Sequence, residues 1–237
     1  MATTKNSLRK KSEIEQLLSD VHSHNINHYT RELFLHSSLS PLSDDSEPGV
    51  DYRMAVRFNK NLSVLENQNS ENVLVHMHST GGSWCDGLAM FDAIRFANSS
   101  VTFVTYAQAS SMSGILLQAA DKRVLTPNCE FMIHHGSIAL HDNSIAVNSA
   151  VEMNNKYMKR MLQIFARRCK IGEFFLEKEY TESRIISWID KKLKDKSDWY
   201  MSAEEAVYYG FADGILGTKG FETIAKIRRC SKFKECI

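Results

Sequence analysis

At 237 residues, 43% hydrophobic and 24% charged, the chain has an ordinary globular composition and room for one large domain plus an appendage. Its 29 Lys and Arg nearly balance 28 Asp and Glu, and a net charge of +1 gives no basis for a nucleic-acid partner. No apolar run could span a bilayer and the basic N-terminus lacks an apolar stretch, which predicts a soluble, cytoplasmic protein with no membrane partner.

Residues 12–22, "SEIEQLLSDVH", place Ile14, Leu17, Leu18 and Val21 on one face of a short amphipathic helix, with Ser12 and Glu15 at capping-box spacing. This helix and the polar stretch after it make an N-terminal appendage over 1–30. A short strand at "ELFLHS" follows, then a surface loop at "SSLSPLSDDSEPG", which holds two of the three prolines. From there the pattern alternates. "YRMAVRFNKNLSVLEN" is helical, "NVLVHMHS" a strand, "WCDGLAMFDAIRFAN" a helix, "VTFVTYA" a strand, "SMSGILLQAAD" a helix and "EFMIHH" a strand. Such alternation predicts an α/β fold of parallel strands with right-handed crossovers.

Residues 143–169 read as one helix of about seven turns, with Val147, Val151, Met158, Met161, Leu162 and Phe165 recurring at mixed spacings. A second helix lies near "TESRIISWIDKKLK". A pair this long after a compact core is expected to protrude and pack on another subunit. "SAEEAVYYG" repeats the capping-box pattern at Ser202 and Glu205, with Gly210 as the stop. Residues 218–237 form a basic tail, read as solvated surface. Cys85, Cys129, Cys169, Cys230 and Cys236 are odd in number and scattered, as expected of reduced thiols rather than a zinc site.

"AQASSMSG", residues 107–114, joins a buried strand to a helix. Ser110, Ser111 and Ser113 fit neither G-x-S-x-G nor S-x-x-K, so helix capping is the default reading. Their position offers more. A serine in the first turn of a helix lies beside unpaired N–H groups and the positive end of the dipole, which can stabilise an oxyanion. "STGGSW" at 79–84 makes a similar turn, with Gly81 and Gly82 able to aim N–H groups at an anion. Both turns follow strands and belong on one sheet edge. A serine nucleophile also needs a base and a group to orient it. His134 and His135 end a strand and point to opposite faces, so one of them faces such a site. His76 and His78 share a strand face, but with no acidic or cysteine partner nearby in sequence no metal site is expected. For the orienter, 28 carboxylates are available and spacing does not choose among them.

Together these segments resemble the Clp protease proteolytic subunit family (ClpP, peptidase S14). Its serine stands in G-Q-A-A-S-M, matched here by "AQASSM" with Ser111 as nucleophile. Its histidine stands in M-I-H, matched by His134, and the aspartate ahead of S-A-x-E-A-x-x-Y-G corresponds to Asp198 in "DWYMSAEEAVYYG". The family's S-P-G-G turn aligns with "STGG", and "LTPN" is similar to its L-P-N. Gly82 and Met112 are the implied oxyanion N–H donors. The resemblance runs from about residue 32 to 217. It implies a crotonase-like spiral of ββα units over 31–217, bearing a helical handle at about 143–195. It further implies a serine endopeptidase with no intrinsic cofactor, enclosed in two stacked seven-membered rings, with ATP used only by a partner Clp-type ATPase that delivers unfolded protein. Thr80 replaces the turn proline, Ala107 a glycine, Ser110 an alanine and His135 a glutamine. The N-terminal helix stands in place of the family's pore hairpin, which is expected of a divergent branch such as virus-encoded relatives that process capsid proteins. The competing readings are a crotonase-like acyl-CoA-binding enzyme and an inactive scaffold subunit.

Overall fold

The computed structural model describes residues 2–36 and 49–229; most of the loop expected at 37–49, and the end of the basic tail with Cys230 and Cys236, lie outside them. In chain order the elements are α1 (Ala2–His24), β1 (Ile26–Asn27), β2 (Glu32–His36), α2 (Tyr52–Gln68), β3 (Val73–Ser79), α3 (Trp84–Phe96), β4 (Val101–Ser110) and α4 (Met112–Leu117). There follow β5 (Lys122–Leu125), β6 (Glu130–His134), α5 (Ser144–Cys169), α6 (Glu173–Glu177), α7 (Glu182–Lys196), β7 (Asp198–Met201), α8 (Ala203–Tyr208), β8 (Gly214–Ile215) and α9 (Ile224–Arg229). No helix among the described residues is long and apolar enough to cross a membrane.

The fold is α/β, as expected. Strands run β1-β2-β3-β4-β5-β8, with β6 joined to β4 and β7 to β6. Pairing is parallel from β2 to β5 and between β4 and β6, and antiparallel between β6 and β7. The central strands are apolar on both faces, as a covered parallel sheet requires. Val73, Val75, Met77, Val101 and Phe103 enter the main core beneath the helices, while Leu74, Val104 and Val124 form a smaller cluster on the other face.

That second cluster corrects the reading of the tail. Ile227 of α9 is buried against it, and the Arg228 carbonyl accepts a hydrogen bond from Asn72 at 3.3 Å, so the start of the basic segment is part of the packed structure. The N-terminal helix also differs. It begins near residue 2, leaving Ser12 inside it, because nothing in "ATTKNSLRKK" breaks a helix; the Ser12–Glu15 pair is therefore no cap. The second capping box is real. Glu205 N donates to Ser202 Oγ at 3.2 Å, Ser202 N to Glu205 Oε2 at 2.9 Å, and Gly210 follows at φ +76°.

His76 and His78 do lie on one strand face, where His76 serves packing. Its ring stacks on Phe34 at 5.0 Å and its Nδ1 meets the Tyr106 hydroxyl at 2.9 Å. Burial, then the neighbouring His36, pushes its pKa down to about 4.

The polar counterpart of this core is Arg123 on β5, whose side chain is wholly buried. Its guanidinium donates to Gln118 Oε1 at 2.6 Å just beyond α4, to the Gly210 carbonyl at 2.9 Å after α8, and to Asp213 before β8. Burial alone would raise the pKa of Asp213, but the charge and hydrogen bonds of Arg123 hold it below the usual carboxylate range.

Two outcomes follow for stability. Asp213→Ala, which leaves Arg123 buried without its counter-charge, lowers unfolding free energy in urea by about 3–5 kcal/mol. His76 binds its proton more readily unfolded than folded, so stability falls as pH drops from about 6.5 to 4, by at most about 3 kcal/mol through this group. Denaturation across that window shows a shallower loss in His76→Phe than in the parent.

Candidate active site

Ser111 occupies the junction between β4 and α4 with φ 55° and ψ −123°, outside the conformations an L-residue favours. It precedes the helix but makes no side-chain capping bond, so its hydroxyl is left for another partner. Its N–H donates to the Met132 carbonyl at 2.9 Å, which ties the turn to β6. Ser111 Oγ then lies 2.7 Å from His134 Nε2, at the end of β6. His134 Nδ1 lies 3.0 Å from Asp198 Oδ1, and these two residues face each other in the β6–β7 ladder. A register pairing of backbone thus sets the His–Asp distance.

The structure separates the three serines. Ser110 Oγ accepts from the Gln108 amide at 2.9 Å, and Ser113 Oγ donates to Ser79 Oγ at 2.5 Å. The first bond is local and the second ties α4 to β3, and among the described residues neither hydroxyl meets a histidine. The two histidines also have different partners: both line the cleft, but His135 Nε2 meets Asp190 Oδ1 at 3.1 Å.

The glycine turn is held against this junction. Val50 N donates to the Gly81 carbonyl at 2.8 Å, Ser83 N to the Val50 carbonyl at 2.7 Å, and Gly81 N to Ser79 Oγ at 3.3 Å. These bonds anchor the turn although Thr80 replaces a proline. Gly81 has φ +93°, and a Cβ there would fall 2.6 Å from the Ser110 carbonyl oxygen and 2.7 Å from Ser111 Cβ. The Gly82 and Met112 N–H groups enter none of the backbone hydrogen bonds that hold the turns among the described residues.

The junction opens into a cleft of about 780 Å³. Turn 80–84 and Ser111 form one wall, and α5 forms the other with Met153, Met158 and Met161. Trp84 of α3 stacks on Tyr157 of α5 at 5.0 Å and so fixes the cleft's width at that end. The Cys85 thiol, in hydrogen-bond reach of Tyr157, raises that phenol's pKa. No group of three or more His, Cys, Asp or Glu side chains suited to a metal occurs among the described residues. The arrangement can activate a hydroxyl, hold the accepting imidazole in one tautomer and offer two N–H groups to developing negative charge. Sequence reasoning missed Gly81 as a contact of the Ser111 turn and Asp190 as the partner of His135. Neither has a signal in linear spacing.

A protein-family model described as Clp protease matches residues 46–219. Curated proteins similar to the chain include the ATP-dependent Clp protease proteolytic subunit of Deinococcus radiodurans, 28% identical over 171 residues that cover 70% of this chain and 76% of that protein. The subunit of Ligilactobacillus salivarius is 32% identical over 161 residues, 67% of this chain and 74% of that one. That of Carsonella ruddii is 28% identical over 173 residues, 72% and 81% respectively.

Gly81→Ala tests how closely the two turns are fitted. It combines a backbone conformation that L-residues avoid with a steric overlap onto the Ser111 turn, and lowers stability by about 2–4 kcal/mol. Reactivity of Ser111 toward a fluorophosphonate falls with it, as read by mass spectrometry of the adduct.

Proposed function

We propose, given that the chain belongs to the Clp protease family, that it is a serine endopeptidase whose chemistry runs through Ser111, His134 and Asp198. The observation that carries this reading is the unbroken hydrogen-bonded sequence from Ser111 Oγ to His134 and on to Asp198. His134 Nε2 takes the Ser111 proton as Oγ attacks a peptide carbonyl, then passes it to the leaving amine. Asp198 accepts from Nδ1–H, keeping Nε2 free to receive the proton and stabilising the imidazolium. Its side chain is 47% exposed, so orientation outweighs charge in its contribution. The N–H groups of Gly82 and Met112 receive the oxyanion, each worth about 2.7–4 kcal/mol of barrier. Water then resolves the acyl-enzyme by the same steps in reverse. No metal or cofactor enters these steps.

The methionine-rich wall of α5 suits apolar substrate side chains, since methionine adapts to varied shapes. Ile145, Val151 and Met153 on the first half of α5 stay 78%, 42% and 45% exposed, which supports a handle that packs on other copies. The proposed assembly is a cytoplasmic, self-enclosing pair of seven-membered rings. Its substrates are unfolded proteins or peptides, delivered by a Clp-type ATPase or drawn from capsid-protein processing. An acyl-CoA-binding enzyme is not favoured, because binding a thioester through two N–H groups needs no Ser–His–Asp relay. The same relay weighs against an inactive scaffold subunit.

Fluorophosphonate treatment labels Ser111 alone, and Ser111→Ala abolishes labelling. Peptide cleavage is lost in Ser111→Ala and His134→Ala, and falls about 10²- to 10⁴-fold in Asp198→Asn, while light scattering shows the assembly unchanged. Labelling at Ser110 or Ser113, or cleavage retained in Ser111→Ala, would remove Ser111 from this role.

A further inference from the structure

A second concavity lies on the side of α5 away from the catalytic cleft. It is a groove of about 430 Å³ between α3 and α5, floored by Phe91 and Ile164. Arg95 from the last turn of α3 and Lys156, Lys159, Arg160 and Arg168 from α5 surround it, and no carboxylate lines it. Arg167, at its edge, is met by Glu182 at 3.6 Å, whereas the other five have no ion-pair partner within reach among the described residues. The nearby acids are committed elsewhere. Asp121 accepts from Val101 N at 2.7 Å, and Asp213 is held by Arg123.

A run of cations on a helix is ordinarily a solvated face. Three features make this one different. The charges converge on one concave space instead of spreading outward. Their floor is apolar, which weakens hydration and strengthens any charge pairing made there. Arg168, anchored by a 2.9 Å bond to the Ala120 carbonyl, keeps a buried Nε–H with no partner among the described residues. Burial first, and then the like charge of Arg123, lowers its pKa to about 10, a cost that an incoming anion would relieve.

We propose that this groove binds a ligand carrying two or three consecutive phosphoryl groups, either a free oligophosphate or the phosphate tail of a nucleotide. Charge density selects phosphate over an acidic peptide. Each terminal phosphate brings about −1.5 to −2 charge and three acceptor oxygens into a small volume, whereas a peptide carries one carboxylate per side chain on separate stems. Guanidinium forks from both walls match phosphate geometry, and the floor of Phe91 and Ile164 can carry an organic portion. Binding joins α3 to α5, and α5 presents Asn154, Tyr157 and Met158 to the catalytic cleft from its other side. An anion in the groove therefore steadies one wall of that cleft.

Calorimetric titration with sodium tripolyphosphate and, separately, with magnesium-free ATP tests the proposal on the full chain. Saturable binding of one ligand per chain is expected, weakening as salt rises. Affinity falls about tenfold or more in Lys159→Gln/Arg160→Gln and also in Arg95→Gln, which acts from the opposite wall should the double variant fold poorly. ATP binding more tightly than tripolyphosphate assigns the site to a nucleotide; equal affinity assigns it to the phosphate chain alone. Unchanged affinity in the variants, no saturable binding, or tighter binding of a glutamate-rich peptide would overturn the assignment. Repeating the titrations on Ser111→Ala keeps the outcome independent of whether the chain is a peptidase.

Discussion

The site depends on β4 having two partners in succession. Thr102–Thr105 pair with β5, and Gln108–Ser110 pair with β6. Tyr106 and Ala107 fall between, and Ala107 adopts φ +52°, a left-handed conformation that costs an L-residue about 1–2 kcal/mol. On the other side the ladder slips too, so that Met77 faces Thr105 while Ser79 faces Ala109. This distortion lets the end of β4 pair with β6 on one side while it stays beside β3 on the other. Pairing with β6 is what sets Ser111 beside His134.

Once β4 and β6 are paired, hydrogen-bonded backbone fixes the remaining geometry. The Ser111–Met132 bond sets the height of the Ser111 turn, and the His134–Asp198 register sets the next distance. Behind the site, Arg123 holds the far end of α4 through Gln118 and reaches Gly210 and Asp213 as well. A short helix starting at the Ser111 turn is thus pinned from the rear by a buried cation. The strain at Ser111 and Ala107 persists because ladders and this anchor overdetermine the surrounding chain.

The long helix α5 performs three tasks along its length, which explains the mixed spacing of its apolar residues. Its last turns bury Met161, Leu162, Phe165, Ala166 and Cys169 in the core. Its middle gives the cleft beside Ser111 one face and the cationic groove another. Its first turns leave Ile145 and Val151 exposed. A helix with one buried face would show one period. This one has several neighbours and shows none cleanly.

Local chemistry was legible in the sequence by itself. Alternating strands and helices are written in runs of β-branched and periodic apolar residues, and the cap at Ser202 and Glu205 with its stop at Gly210 needs only neighbouring groups. The sequence also carried the strand ending in His134 and His135, and a resemblance that distinguished Asp198 among 28 carboxylates. Segments of two to four residues such as β5, β7 and β8 escaped notice, because strands that short are defined by partners rather than by pattern. For the same reason Ser12 and Glu15 misled. A cap is real only where the chain before it is not helical. Which serine meets a histidine, which histidine meets that serine, and which cations converge on one groove were decided by tertiary structure alone. Each depends on a distance between residues far apart in the chain, and those distances exist only after β4 has changed partners.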